Sequence, residues 1–318
     1  MTGSNSLGNS QIRPADALAI ADAAARLQSG GIVAVPTETV YGLAADASNA
    51  SAVAKIYAAK GRPDFNPLIV HVPDREAAER IAVFGALADQ LAKAFWPGPL
   101  TLVLPLREGA AVAGAVTAGL STIAIRCPAH PVMRSVLLAS GLNVAAPSAN
   151  RSGGISPTRA AHVAASLGDL VALIVDAGPC QAGIESTIVA VRENGWEILR
   201  PGPVTADEIE VAVGSPPLPG ASGGIEAPGQ LASHYAPSKP VRLNVIQAGA
   251  QEWHIGFGAV AGDDNLSADA DLAEAAARLF DALHRADASD RVAIAIAPIP
   301  HTGIGEAIND RLQRAAAR

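Results

Sequence analysis

Two cysteines, Cys127 and Cys180, are all that the 318 residues contain. They stand far apart and outside any Cys-x-x-Cys, so they read as buried thiols of a reducing compartment rather than a disulfide framework or a zinc site. Aromatic residues make up 3 % against 49 % hydrophobic residues in all, so the core is aliphatic and rich in alanine. No apolar run approaches the length of a membrane span. Positive charge is also short: Lys+Arg 23 against Asp+Glu 30 gives a net charge of −7. That argues against a protein that coats nucleic acid, while leaving room for a local basic cleft. There is no Gly-x4-Gly-Lys-Ser/Thr phosphate loop and no HExxH. Gly256, Gly258 and Gly262 have the wrong spacing for a dinucleotide fold. Residues 1–10 lack the basic start and apolar centre of a signal peptide, and 1–14 are expected to be a disordered tail. A soluble, cytoplasmic protein is the expectation.

What is present is organised around residues 30–72. Ile32–Val35 is a short, β-branched run behind two glycines and reads as a buried strand stopped by Pro36. Thr37, Glu38 and Thr39 follow, a cluster of hydroxyls and a carboxylate at a strand end, where sites in α/β proteins tend to lie. Ser51–Lys60 has helical periodicity, with Ser48 or Asn49 as its N-cap. It ends in Lys60-Gly61-Arg62-Pro63, where Gly61 suits a C-cap and Pro63 blocks continuation. The two cations either complement the helix dipole or form an anion site suited to phosphates. Leu68–Val72 is a second strand and carries His71, which a packing role explains as readily as a functional one.

The chain then continues through helices at Arg75–Ile81 and Leu87–Phe95, a strand at Leu100–Leu106, and a strand Ile123–Arg126 that ends in a cation. Arg126 at that position either reaches water or holds an anion, and the anion is favoured. Val144–Ala146 ends in Pro147-Ser148-Ala149-Asn150 and a glycine-rich loop whose backbone can approach phosphates, with Ser148, Asn150 and Ser156 as donors. A helix (Thr158–Ser166) and a strand (Leu170–Asp176) precede the hairpin Thr187–Val191 and Trp196–Leu199, which ends at Arg200. Polar turns near Thr37, Ser121, Ser148 and Ser186, with strand-end arginines at 126 and 200, make one cationic pocket if they converge. Val204–Val213 closes this unit as a helix capped by Thr205. Residues 214–240 hold six prolines and five glycines and read as a stiffened linker. Within it, His234-Tyr235-Ala236-Pro237 is not linker-like. From 241 on, alternating strands and helices predict a small α/β domain. The reading at this level is a two-domain α/β enzyme that binds an anionic ligand.

At seven places, in order, the residues resemble one family: PTETVYGL, KGRP with NPLIVHV, WPGPLTLVL, STIAIRCPAHP, APSANRSG, ESTIV and LRPGP resemble the motifs of the YrdC-like threonylcarbamoyl-AMP synthases. The likeness covers about residues 15–210. HYAP and GIGEAINDRLQRAA extend it to the long, two-domain form. The resemblance implies a twisted, mixed α/β sheet with a large positive cleft over 15–213, a linker over 214–240 that acts as a lid, and a smaller Rossmann-like α/β domain over 241–318. It implies that L-threonine, bicarbonate and ATP give threonylcarbamoyl-AMP and pyrophosphate. The product then passes to the machinery that modifies adenosine 37 of tRNAs reading ANN codons. It puts Lys60, Arg62, Thr122, Ser148, Asn150, Ser156, Arg200 and Tyr235 on ATP, with Lys60 and Arg62 as the catalytic charges. Thr37, His71, Arg126 and Ser186 would hold threonine or its carbamate. Mg²⁺ would arrive with ATP, held mainly by the phosphates and by no protein metal site. Stable nucleic-acid or membrane binding is not expected.

Two other functions compete. A concave positive cleft could hold RNA, but the net negative charge and few aromatics oppose that. A carbamoyl-adenylate enzyme of the hydrogenase-maturation type shares a similar domain. It carries acylphosphatase and zinc modules, and this chain has no Cys-x-x-Cys.

Overall fold

Capping residues and left-handed glycines set the ends of the helices that frame the site. The structure, a computed structural model, describes residues 11–220, 226–230 and 234–317. Its helices are α1 (Ala17–Gln28), α2 (Ala50–Lys60), α3 (Arg75–Glu79), α4 (Ala86–Phe95), α5 (Gly114–Thr117), α6 (Pro131–Ser140), α7 (Ala160–Leu167), α8 (Ala206–Val213), α9 (Leu272–Ala288) and α10 (Ile304–Ala316). Asn49 rather than Ser48 caps α2, its side chain accepting from Ala52 N at 3.1 Å. Gly61 ends that helix at φ +58°, a left-handed conformation that suits glycine. Thr205 and Glu208 form a reciprocal capping box on α8. Among the described residues no helix is long and apolar enough to cross a membrane.

The strands are β1 (Ile12–Pro14), β2 (Val33–Val35), β3 (Gly42–Asp46), β4 (Ile69–His71), β5 (Leu100–Pro105), β6 (Thr122–Arg126), β7 (Val144–Ala145), β8 (Ile174–Asp176), β9 (Thr187–Arg192), β10 (Gly195–Arg200), β11 (Val241–Arg242), β12 (Glu252–Gly256), β13 (Asp264–Asn265) and β14 (Ala293–Ile296). The first ten make one mixed sheet in the order β1-β8-β2-β3-β7-β4-β6-β5-β9-β10, and the last four a smaller sheet in the order β11-β14-β12-β13. The small sheet is parallel throughout, and α9 crosses over between β13 and β14. Parallel pairing of β4 with β6 sets His71 opposite Arg126. That register brings two distant polar residues side by side at one sheet end.

Two local expectations fail, and one strand was not anticipated. Ile12–Pro14 is not part of a disordered tail: it pairs in parallel with β8, covering an edge that would otherwise expose unpaired backbone groups. Residues 1–10 lie outside the described residues. Gly42–Asp46 forms a strand although Gly-Leu-Ala-Ala-Asp has no β-branched residue, because it is paired on both sides, by β2 and β7. The strand expected over Val241–Ile246 is only two residues long, and Asn244 leaves the extended region at φ +59°.

The large sheet carries aliphatic packing on both faces. α2 and α4 cover one face through Val53, Ile56 and Leu91, and α1 and α6 cover the other through Leu27, Met133 and Val136. A further core lies in the second sheet and its helices, around Phe280, Leu279, Ile294 and Ile308. It is not closed within the C-terminal region: Val40, Ile155, Ile184 and Tyr235 pack into it. Loops from the large sheet and the end of the linker are therefore built into the C-terminal core.

Candidate active site

Three cations meet at one end of the large sheet, and each is buried. Lys60 is the last residue of α2, and its Nζ donates to the carbonyls of Ser148 and Asn150. The Gly61 turn redirects the chain so that Arg62 donates to Asn66 O at 3.1 Å, Asn66 Oδ1 at 2.7 Å and Pro67 O at 2.8 Å. Arg200, at the end of β10, donates to Ser186 O at 2.9 and 3.1 Å and to Ser186 Oγ at 3.2 Å. Among the described residues these acceptors are all neutral. Burying a cation without a counter-charge costs several kcal/mol on the order of magnitude expected for an ion taken from water. Burial lowers the pKa of all three groups: Lys60 falls well below its ordinary range and Arg62 to about 10. Such a trio is poised for a polyanion.

The opposite wall is compensated. Arg126 Nη2 lies 2.6 Å from Glu38 Oε1, Nη1 donates to Thr39 Oγ1 at 2.9 Å and Nε to Gly98 O at 3.1 Å. The sequence argument weighed water against an anion for Arg126; the structure supplies Glu38 as a built-in partner. Burial pushes the Glu38 carboxyl up, but the Arg126 charge outweighs it and holds the pKa at about 2. Thr37 Oγ1 meets Thr39 Oγ1 at 2.8 Å, and Ser186 Oγ meets Thr101 Oγ1 at 2.8 Å. Ser186 Oγ keeps hydrogen-bonding capacity to spare, whereas Thr37 Oγ1 is fully used: it donates to Val40 O at 2.7 Å and accepts from Thr39 N and Val40 N at 3.2 Å.

Between these walls lies a cavity of about 50 Å³. Of the residues singled out from sequence, Thr37, His71, Arg126 and Ser186 line it together with Arg62, Ser148, Arg200 and Tyr235. Four do not. Lys60 sits behind the wall, holding the Ser148–Asn150 loop from below. Asn150 ties that loop to itself through Arg151 O and Gly154 O, and Ser156 Oγ donates to Glu185 Oε1. Thr122 begins the strand that Arg126 ends, about 13 Å along it at roughly 3.3 Å per residue. It shares a face with Arg126 and Ala124, so it lies on the same groove floor outside the cavity. The sequence reading missed Glu38 as the partner of Arg126, and Thr39 and Glu185 as wall residues. The first two were visible as part of the Thr-Glu-Thr cluster, and Glu185 was visible beside Ser186.

The linker covers this floor. Ala227 is fully buried against Ile69, Ala124 and Ile188. Gly229, at φ +89°, packs where a Cβ would come within 2.8 Å of Arg200 Cδ and 3.0 Å of the Tyr235 hydroxyl, so only glycine fits. Tyr235 is buried, with its ring 5.5 Å from Phe280, and its hydroxyl has no hydrogen-bond partner among the described residues. Ala236 N donates to Gly153 O at 2.8 Å, fastening the segment to the glycine-rich loop. Ser233, expected at the start of this segment, lies outside the described residues.

Burial keeps three histidines neutral: His71 and His234 titrate at about 3 and His284 at about 4. An unfolded chain takes up these protons near pH 6.5, so between that pH and about 4 the unfolded state binds more protons. The associated stability is complete well above pH 6.5 and is lost as pH falls through it, by about 1 kcal/mol per histidine between pH 6.5 and 5.5. The melting temperature should therefore begin to fall below about pH 6.5, before carboxylates protonate. A flat melting temperature from about pH 7.5 to 5.5 would contradict neutral burial.

Two family models match the chain. The Sua5/YciO/YrdC model, described as "Telomere recombination", matches residues 25–202, and the model of the threonylcarbamoyl-AMP synthase C-terminal domain matches residues 204–317. A threonylcarbamoyl-AMP synthase of Bacillus subtilis is 43 % identical over 93 % of this chain and 92 % of that protein. One of Pyrococcus abyssi is 38 % identical over 92 % of this chain and 93 % of that protein. The crystal structure of P. abyssi Sua5 complexed with L-threonine superposes with a TM-score of 0.87 at 35 % identity, covering 96 % of both chains.

Proposed function

The chain belongs to the threonylcarbamoyl-AMP synthase family in its two-domain form, and on that premise we propose how its cavity carries out the synthase reaction. The reaction joins L-threonine, bicarbonate and ATP. The threonine amine condenses with bicarbonate to a carbamate, releasing water. A carbamate oxygen then attacks the α-phosphorus, the bond from that phosphorus to the bridging oxygen of the β-phosphate breaks, and pyrophosphate leaves with the electron pair. This is nucleotidyl transfer. It needs charge neutralisation and alignment rather than a covalent nucleophile.

The observation that carries this reading is the trio Lys60, Arg62 and Arg200, buried beside a hydroxyl-lined wall with neutral acceptors only. Arg62 and Arg200 meet the phosphates from the cavity wall. Lys60 adds its charge from behind and fixes the Ser148–Asn150 loop, whose Ser148 also faces ATP. Asn150 and Ser156 shape the phosphate side of that loop. The nucleoside extends along the β6 face towards Thr122. Arg126, already neutralised by Glu38, orients the threonine carboxylate through its remaining hydrogen-bonding capacity. Ser186 takes the substrate hydroxyl, and Thr37, its hydroxyl held by Val40 and Thr39, shapes the threonine pocket. His71, neutral at working pH, serves only as a hydrogen-bonding neighbour. The unpartnered Tyr235 hydroxyl is left for a ligand oxygen, and the linker that carries it closes the cavity over a carbamate and a mixed anhydride that water would destroy.

Mg²⁺ would come with ATP as the counter-ion of its phosphates and would supply charge neutralisation on the leaving group. Among the described residues no three His, Cys, Asp or Glu side chains converge to hold a metal. The product passes, in the cytoplasm, to proteins that transfer threonylcarbamoyl to tRNA. Pyrophosphate release from ATP tests the reading: it should require threonine and bicarbonate together. Release at an equal rate without threonine would overturn it.

A further inference from the structure

The loop that supplies Glu185 and Ser186 to the cavity is held by the C-terminal region at three points. Gly183, at φ +69°, lies so close to α9 that a Cβ would come within 2.4 Å of the Ala277 backbone. Ile184 is fully buried in the C-terminal core beside Phe280 and Tyr235. Arg311 of α10 is 0 % exposed and reaches out of its own domain: Nε donates to Glu185 Oε2 at 2.9 Å, and Nη2 donates to Pro201 O at 2.9 Å. Its guanidinium also lies 5.3 Å from the centre of the Tyr235 ring. The other oxygen of Glu185 accepts from Ser156 Oγ. Both carboxylate oxygens are thus engaged away from Arg200, although Glu185 and Arg200 line the same cavity.

Arg200 itself is held by Ser186, the next residue along. A Glu185 carboxylate released from Arg311 would lie beside this neutral-partnered guanidinium in a water-poor site, where an ion pair is strongly favoured over an unpaired charge. We propose that Arg311 is a positioning residue for the synthase reaction: by occupying Glu185 it keeps Arg200 available to the phosphates of ATP. This gives the C-terminal domain a defined part in the active site, and it rests on the reading of Arg200 as an ATP ligand. Burial pushes the Glu185 carboxyl up, but Arg311 and Arg200 outweigh burial and keep it ionised, as the mechanism requires.

Steady-state kinetics of full-length wild type, Arg311→Met, Glu185→Gln and the double variant test the proposal. Arg311→Met should raise KM for ATP about 30-fold or more with a smaller fall in kcat, in line with truncation of one partner of a buried charge pair. The double variant should return KM to within about threefold of Glu185→Gln, because no carboxylate remains to capture Arg200. If Arg311→Met does not fold, the double variant compared with Glu185→Gln decides the matter in the same way. An unchanged KM in Arg311→Met overturns the proposal. So does a double variant that does not fold, or one that binds ATP as weakly as Arg311→Met while Glu185→Gln binds normally. A wild type that releases no pyrophosphate would count against the synthase reading instead, and ATP dissociation constants of the same four proteins would still judge Arg311.

Discussion

Valine offered in place of threonine should be used with a kcat/KM lower by a factor of order 10⁴ or more. The two amino acids are nearly isosteric, so the loss comes from the hydroxyl. Ser186 Oγ lies on the cavity wall, engaged by Thr101 Oγ1 at 2.8 Å and Arg200 Nη2 at 3.2 Å with capacity left over, and Thr37, its own hydroxyl held by Val40 and Thr39, completes the polar wall. Valine would leave this buried polar wall without its partner, which is what makes a hydrogen-bonding site reject an analogue so strongly. Serine keeps the hydroxyl and lacks only a methyl, so it should lose about 10- to 200-fold. Competition kinetics with the three amino acids at saturating ATP measures both ratios. Valine within tenfold of threonine would mean that this wall does not read the substrate hydroxyl.

Lys60→Ala and Arg62→Ala should each lower activity by about 30- to 4,000-fold, the range that corresponds to 2–5 kcal/mol for losing one partner of a desolvated charge interaction. Both groups lack a carboxylate partner among the described residues, so neither substitution strands a buried anion. Each instead leaves backbone carbonyls to find water. Circular dichroism should show the folded chain retained while pyrophosphate release collapses. The two variants should differ in kind. Arg62 faces the cavity and its loss should appear in KM for ATP. Lys60 stands behind the Ser148–Asn150 loop, so its loss should also reduce kcat by loosening that loop. Activity within threefold of wild type for both variants would remove the cationic trio from the mechanism.

The parts of this site that were legible in the sequence are those encoded locally. Gly61 and Pro63 announce the turn that places Lys60 and Arg62, and the turn is present with Gly61 in the left-handed region. Short β-branched runs ending in polar residues marked β2, β4 and β6, whose ends converge as the parallel and antiparallel pairings require. What was not legible depends on residues far apart in the chain. Glu38 and Arg126 are 88 positions apart, and Glu185 and Arg311 are 126 apart. No periodicity or spacing announces either pair. β3 escaped notice because its alanines gain strand character only from neighbours on both sides. Lys60 was read as facing the ligand because its sequence context fixes the turn but not which way a long side chain runs once the Ser148 loop packs against it. The linker posed the converse problem. Its proline and glycine content marks a chain without regular structure, yet Ala227, Gly229 and Tyr235 are packed tightly over the site.

The central claim is that this cavity joins a carbamate made from bicarbonate and threonine to the α-phosphate of ATP. Incubation of the full-length protein with ATP, threonine and ¹³C-bicarbonate, followed at once by mass spectrometry of the nucleotides, tests it most directly. The account predicts an adenylate that carries both threonine and the heavy carbon, formed in equal amount to pyrophosphate. Pyrophosphate released without label in the adenylate, or a labelled adenylate that forms equally well without threonine, would contradict it.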